Sequence, residues 1–305
     1  MLTIFFIVLP IFLVIFLGKG LQLTGFIDAA FIKTANRLIF NICLPALLFY
    51  KISTASIESI LNLNLLWIML ATVVVVFSLG MALTQTRLIP RGARGSFVMN
   101  TFRGNFAYMG LPVSYYAYGD TGLLHASIFM AFVVPTVNLF AVLSLGLFSR
   151  PGSVSLFFKN TLFNPLVIAC MAGLAASITN MVFADFITRT LSIISGVTLP
   201  LALFCIGASL TISQLKGNLL VILLSSGFKL LLMPAITLVL LWLFNQPIDS
   251  MAKVLVIMMA TPAATVNAIM AAAMGGDMNS TNGTIVATTL LSIFSYILFL
   301  AYLGI

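Results

Sequence analysis

Runs of about 20 apolar residues follow one another along the chain, separated by short polar stretches, and such a run is long enough to cross a bilayer as a helix. The pattern predicts an all-α membrane protein with ten transmembrane helices. They are placed at 2–17, 38–52, 63–83, 96–116, 123–148, 162–178, 191–210, 219–244, 252–274 and 284–303.

Two of the predicted helices are interrupted in their apolar pattern. The fourth contains Phe102-Arg103-Gly104-Asn105 and the ninth contains Thr261-Pro262. Unpaired backbone groups at membrane depth are costly, so a broken helix is tolerated only where it is buried or lines a cavity. If the breaks cross, two half-helix N-termini face one cavity and favour an anion. The alternative is that each break is only a packing kink.

The two halves of the chain resemble each other. Leu44-Pro45-Ala46-Leu47-Leu48-Phe49 in the second helix matches Leu199-Pro200-Leu201-Ala202-Leu203-Phe204 in the seventh, and Gly119-Asp120 matches Gly276-Asp277 at nearly the same separation. Five helices per half is an odd number, so the second half enters the membrane from the opposite side. We therefore predict a 5+5 inverted repeat with halves 1–150 and 151–305, a construction common in secondary transporters.

Composition and charge narrow the class further. The chain is 62% hydrophobic and 7% charged, whereas soluble domains carry about 25% charged residues. The net charge of +8 is scattered between apolar runs, which indicates membrane topology and not nucleic-acid binding. The predicted odd-to-even loops hold Lys19, Lys33, Arg37, Arg87, Arg91, Arg94, Arg150, Lys159 and Lys216, and the opposite side holds Lys51, Arg189 and Lys253. This bias predicts cytoplasmic odd-to-even loops and both termini outside.

Six residues are the candidates for substrate binding, because they lie at the breaks or are amides and hydroxyls at similar depth. A buried amide in lipid needs a partner, and the alternative partner is a neighbouring helix. The candidates are Gly104, Asn105, Asn138, Pro262, Thr265 and Asn267.

The sequence leaves two alternative roles for each of two basic residues that lie within predicted helices. Arg103 either attracts an anion or extends to the membrane interface. Lys229 is deeper, and it either serves function or pairs with a carbonyl at the Pro234 kink.

Several function classes lack their signatures in the sequence. No acidic residue falls in the middle of a predicted helix, where a cation antiporter normally places a carboxylate. No hydrolase, metalloprotease or nucleotide-binding motif occurs. We therefore predict a protein that is not an enzyme and that has neither a cofactor nor a bound metal.

Three motifs in the chain are shared with a known family. They are Phe102-Arg103-Gly104-Asn105 running to Gly110-Leu111-Pro112, Leu44-Pro45-Ala46-Leu47-Leu48-Phe49 and Ala260-Thr261-Pro262-Ala263. Through these motifs the chain resembles the auxin efflux carrier family, which includes plant carriers and bacterial relatives often labelled malate or malonate permeases. The resemblance implies a fold like that of sodium/proton antiporters, with scaffold and transport bundles each drawn from both halves. Helices 4 and 9 then cross in the transport bundle.

The same resemblance carries over to particular positions. Gly104-Asn105 stands where plant members have an Asn-Pro-Asn-like element, Pro262 matches the second crossing, and Asn138 matches a polar position that contacts substrate. Only the short loop 149–160 joins the halves, so the long cytoplasmic loop of many plant carriers is absent. A prokaryotic source and a homodimer follow from the resemblance.

Together these observations predict a secondary transporter that moves a small organic anion, a mono- or dicarboxylate, across a bacterial cytoplasmic membrane by alternating access. A sodium-coupled symporter of the bile-acid type is the first alternative, because carbonyls and amides can hold sodium without a carboxylate. A membrane ligand sensor that does not transport is the second.

Overall fold

The computed structural model of the protein describes residues 2–55, 62–148, 164–210, 215 and 217–304, and the regular structure in these ranges is helical. The α-helices in chain order are α1 (Leu2–Leu23), α2 (Ala29–Leu38), α3 (Leu44–Ser53), α4 (Leu63–Thr84), α5 (Arg94–Phe102), α6 (Leu111–Gly146), α7 (Pro165–Ile178), α8 (Asp185–Ser209), α9 (Leu219–Gly227), α10 (Met233–Leu243), α11 (Ser250–Met259), α12 (Val266–Ala273) and α13 (Met278–Tyr302).

The described helices include seven stretches that are long and apolar enough to cross a bilayer, which confirms the predicted class of multi-pass all-α membrane protein. They are Ile4–Leu23, Ala29–Ser53, Leu63–Thr84, Phe106–Gly146, Asp185–Ser209, Leu219–Leu243 and Met278–Tyr302. Two shorter apolar helices are α7 and α11. The count of ten transmembrane helices and the inverted repeat stay predictions. The predicted loop 149–160 and the basic residues Arg150, Lys159 and Lys216 lie outside the described residues.

Three short π-helical segments, Ile39–Cys43, Phe106–Gly110 and Phe228–Leu232, each come directly before a helix with proline at its second position. A proline ring clashes with the carbonyl four residues earlier and supplies no N–H. The wider π turn gives that carbonyl room. In the third segment the released Leu230 carbonyl accepts a hydrogen bond from the Ser295 hydroxyl at 2.7 Å.

The chain forms two compact units, and each is drawn from three segments. The first comprises Met1–Asn62, Ala107–Phe132 and Phe163–Leu210. Within it α1 packs on α8, and α3 packs on α7 and α8. A Cβ at Gly18 would come within 2.9 Å of the Phe204 Cα, so glycine here lets two helices approach closely.

The second unit comprises Leu63–Phe106, Val133–Leu162 and Thr211–Ile305. Within it α5 packs against α4, α9 and α13, and α10 packs against α4 and α11. Its exposed side chains include Trp67, Trp242 and Phe294, whereas hydroxyls and amides are buried inside. An apolar exterior around a polar interior is the arrangement expected in lipid.

The acidic side chains that the structure describes act at helix ends or in surface ion pairs. Asp28, Asp249 and Asp277 accept hydrogen bonds from backbone N–H groups at the starts of α2, α11 and α13. Asp120 pairs with Lys51 and Asp185 with Arg189. None of these five carboxylates is buried, so the interior of the second unit has no described acid to balance its basic groups.

Candidate functional site

The breaks in the fourth and ninth predicted helices meet inside the second unit. α5 ends at Phe102 and Arg103 turns to extended backbone, while α11 ends at Met259. The Asn105 N–H donates to the Pro262 carbonyl at 2.7 Å, and the Ala264 N–H donates to the Arg103 carbonyl at 3.0 Å. These two bonds form an isolated antiparallel bridge between Gly104 and Ala263. Each break therefore satisfies backbone groups that the other leaves without a helical partner.

Gly104 is required at this bridge because its surroundings leave no space for a side chain. A Cβ there would overlap the Thr261 Oγ1 and would lie 2.9 Å from both the Lys229 Cε and the Phe106 ring. Pro262 has no N–H and cannot continue a helix from the preceding turn. The two residue types that mark the breaks in the sequence thus have separate physical reasons to be there.

Side chains from outside the bridge support its remaining backbone groups. The Thr288 hydroxyl of α13 accepts a hydrogen bond from the Ala263 N–H at 3.1 Å. The Lys229 ammonium donates to the Met259 carbonyl at 2.8 Å. Thr261 caps its own turn by donating to the Met258 carbonyl at 2.8 Å. The break is a hydrogen-bonded structure and not a disordered interruption.

Arg103 lies at the centre of a polar network that links four helices. Its Nη1 donates to the Asn267 Oδ1 and its Nη2 donates to the Asn138 Oδ1, both at 2.7 Å. The Asn267 Nδ2 donates to the Asn100 Oδ1 at 2.9 Å, and the Asn100 Nδ2 donates to the Thr281 Oγ1 at 3.2 Å. The guanidinium is thereby held in one orientation by neutral oxygens from α6 and α12.

The positive charge of this network has no described counter-charge. Arg103 is only 8% exposed, and its Nε has no hydrogen-bond partner among the described residues. Its two side-chain partners are amides, which satisfy N–H groups but carry no negative charge. A buried cation held by neutral groups is costly unless an anion joins it. The arrangement is suited to bind a carboxylate.

The structure brings several of the sequence candidates together. Gly104 pairs with Ala263 in the bridge, the Pro262 carbonyl accepts one of its two hydrogen bonds, and Asn138 and Asn267 meet at Arg103. The Asn105 side chain is buried beside the bridge. Thr265 directly precedes α12, is partly exposed, and makes no side-chain cap bond to that helix. The idea of two half-helix N-termini around one cavity stays a prediction.

For the two basic residues the structure favours one alternative each. Arg103 turns inward to Asn138 and Asn267 and is buried within the second unit. Lys229 pairs with a carbonyl, but this carbonyl is that of Met259 and not the Leu230 carbonyl at the Pro234 kink, which accepts from Ser295.

Sequence reasoning missed two supporting residues. Asn100 lies three residues before Arg103, a spacing that places two residues on one face of a predicted helix, and this spacing was a usable signal. Thr288 lies in a hydroxyl-rich stretch of α13 that includes Thr281, Thr284, Thr289 and Ser292. Nothing in its own pattern distinguishes Thr288 from these neighbours.

Broken helices that meet inside a bundle of apolar helices are common in secondary transporters. A family model described as "Membrane transport protein" matches residues 3–153 and 152–300. The chain therefore belongs to this family, which is that of the auxin efflux carriers, and the resemblance noted in the sequence is confirmed.

Individual relatives match between 74% and 94% of the chain. A protein of Rhizobium meliloti named "Putative malonate transporter" is 25% identical over 302 residues, covering 94% of this chain and 92% of the relative. An uncharacterized transporter of Methanocaldococcus jannaschii is 22% identical over 301 residues, covering 94% of each chain. Another from Methanothermobacter thermautotrophicus is 24% identical over 229 residues, covering 74% of each.

Proposed function

We propose that the protein is a secondary transporter for a small organic anion and that Arg103 is the group that binds the anion's carboxylate. The single observation that carries this proposal is the buried guanidinium, which amide oxygens orient from two sides and which no described carboxylate neutralises. A carboxylate offers the geometry that a guanidinium binds best, through charge-assisted hydrogen bonds. The predicted absence of an enzymatic activity accords with membership of a transport family.

A malonate-like dicarboxylate is the first substrate to test. The R. meliloti relative carries malonate in its name, and it aligns with this chain over nearly its full length. The second unit also holds two buried cations, Arg103 and Lys229. A dianion balances a doubly positive interior better than a monoanion does, because each uncompensated charge in a low-dielectric site is costly.

The transport cycle that we propose is alternating access in a ten-helix inverted repeat with halves 1–150 and 151–305, in a prokaryotic inner membrane with both termini outside. The described stretch Phe106–Gly146 supports this count. Its 41 residues would extend about 60 Å as one helix, roughly twice the hydrocarbon thickness. It also contains non-helical backbone at Tyr118 and Gly119, where Gly119 has a φ of 60°. A homodimer stays part of the proposal.

The test replaces the proposed anion with a carboxylate fixed to the protein. Asn138→Asp changes one amide nitrogen to oxygen and keeps the acceptor at 2.7 Å from the Arg103 Nη2. The new ion pair neutralises the guanidinium, so we expect thermal stability to be kept and the KM for labelled malonate in proteoliposomes to rise at least about thirtyfold. That factor corresponds to about 2 kcal/mol, the lower range for a buried charged contact.

The matched control is Asn138→Ala, which removes the acceptor but leaves the positive charge. We expect a smaller rise in KM with this variant, since the anion still meets an uncompensated guanidinium. Wild-type uptake by Asn138→Asp would show that Arg103 does not bind the substrate. Uptake is measured for malonate, malate and indole acetate, each with and without sodium and a proton gradient, which also tests the sodium-coupled alternative.

A further inference from the structure

Lys229 is a second buried cation, and it is enclosed more completely than Arg103. Its side chain is 0% exposed. Its ammonium donates to the Met259 carbonyl at 2.8 Å, lies 3.4 Å from the Met233 sulfur, and lies 5.7 Å from the centre of the Phe106 ring. These neighbours are a carbonyl, a thioether and an aromatic face, all of which attract a cation. No described carboxylate pairs with it.

The local fold directs this ammonium to the helix break. Lys229 belongs to the π segment Phe228–Leu232, and the carbonyl released by Pro234 is taken by Ser295. The ammonium reaches a carbonyl on another helix, that of Met259. The end of the side chain also lies against Gly104, since a Cβ at Gly104 would be 2.9 Å from the Lys229 Cε. One side chain therefore touches both broken segments.

The carbonyl that accepts from Lys229 belongs to the end of a half-helix. Met259 is the last residue of α11, and the final carbonyls of a helix carry partial negative charge. In broken-helix transporters such carbonyl ends often coordinate a metal cation. An ammonium at the same kind of position supplies the positive charge from within the protein.

We propose that Lys229 is a positioning residue. Its ammonium, which is covalently attached to the protein, takes the place of a metal cation beside the bridge between Gly104 and Ala263. It fixes the carbonyl end of α11 and leaves the break with no requirement for a metal ion. Lys229 does not touch the transported anion, because it is fully enclosed. The proposal adds to the proposed function, in which Arg103 binds the anion. The tests of Lys229 need no transported substrate.

The first test is chemical rescue of purified, detergent-solubilised Lys229→Ala. This substitution removes three methylene groups and the ammonium, which n-propylammonium matches in size and charge. We expect n-propylammonium to raise the melting temperature of the variant by about 3 °C or more and to leave the wild type unchanged, because only the variant has the vacated space. The neutral analogue 1-propanol separates charge from cavity filling. Equal effects of 1-propanol and n-propylammonium, or no effect of either, would overturn the proposal.

The second test uses Lys229→Met, which fills the space without charge and remains informative if the alanine variant does not fold. We expect amide exchange of the segment 260–266 to accelerate at least about tenfold, because the Met259 carbonyl loses its donor. Leu230→Met, a volume-conserving change at the next buried position, is the matched control and should leave this exchange unchanged. Wild-type exchange in Lys229→Met would refute the positioning role.

A third measurement addresses the metal ion directly. The melting temperature of the wild type should be the same in sodium, potassium and choline chloride at equal ionic strength. A rise specific to sodium would show that the protein still binds a stabilising metal ion and would overturn the claim that none is required. Failure of malonate uptake, in contrast, would count against the proposed function and not against the role of Lys229.

Discussion

Gly104→Ala is the smallest change that tests whether the crossing of the two breaks holds the second unit together. The added Cβ would overlap the Thr261 hydroxyl oxygen and lie 2.9 Å from the Lys229 Cε and the Phe106 ring. Thr261 is anchored by its hydrogen bond to the Met258 carbonyl, and the Lys229 ammonium is held by the Met259 carbonyl. The methyl group therefore pushes the two extended segments apart.

The expected cost follows from these contacts. Inserting a methyl group into a packed interior costs about 1–3 kcal/mol. Separation of the segments also weakens the two bonds of the bridge, Asn105 N–H to Pro262 and Ala264 N–H to Arg103, each of which contributes about 1 kcal/mol. The total of about 3–5 kcal/mol, if both bonds are lost, corresponds to a fall in melting temperature of roughly 5–15 °C.

The assay is thermal unfolding of the purified variant in detergent, followed by malonate uptake in proteoliposomes. Gly227→Ala is the matched control, because Gly227 lies in the same unit and a Cβ there meets nothing within 4 Å. In that helical position alanine should be neutral or slightly stabilising. We expect uptake by Gly104→Ala to fall at least about tenfold and uptake by the control to stay near the wild-type value. Equal melting temperatures and equal uptake for the two variants would refute the steric reasoning.

Two further substitutions at the bridge separate backbone from side-chain roles. Asn105→Ala keeps the backbone N–H that bonds to Pro262, so folding should persist while malonate uptake is abolished; unchanged uptake would remove the Asn105 side chain from the site. Pro262→Ala keeps the carbonyl that accepts from Asn105 but adds an N–H and releases the backbone angle, so turnover should fall while the melting temperature changes little. If Pro262→Ala shows wild-type kinetics in the same uptake assay, Pro262 contributes only to packing and not to transport.

The sequence was most informative where a residue type has one strong physical reason to be present. Gly104 and Pro262 interrupt apolar runs, and few alternatives exist for such residues at membrane depth. Their positions could therefore be predicted, and the structure places Gly104 in the bridge with Ala263, where the adjacent Pro262 carbonyl accepts one of the two hydrogen bonds. The amides Asn138 and Asn267 were identifiable for the same reason, since a buried amide needs partners.

The inward orientation of Arg103 could not be read from the sequence. An arginine near a helix end can extend to the interface or turn inside, and the choice depends on oxygens supplied by Asn138 and Asn267, which are distant in the chain. The partner of Lys229 was equally hidden. It is the Met259 carbonyl of α11, which lies 30 residues away in the chain.

The bridge between Gly104 and Ala263 makes the two interruptions mutually dependent. A mutation that restored continuous helix on one side would remove the hydrogen-bond partners of the other segment. A single mutation of this kind would therefore destabilise the protein. Descendants of this gene should thus keep both irregularities or lose both together. Paired change at 103–105 and 262–264, and not independent drift, is the evolutionary signature expected of such an arrangement.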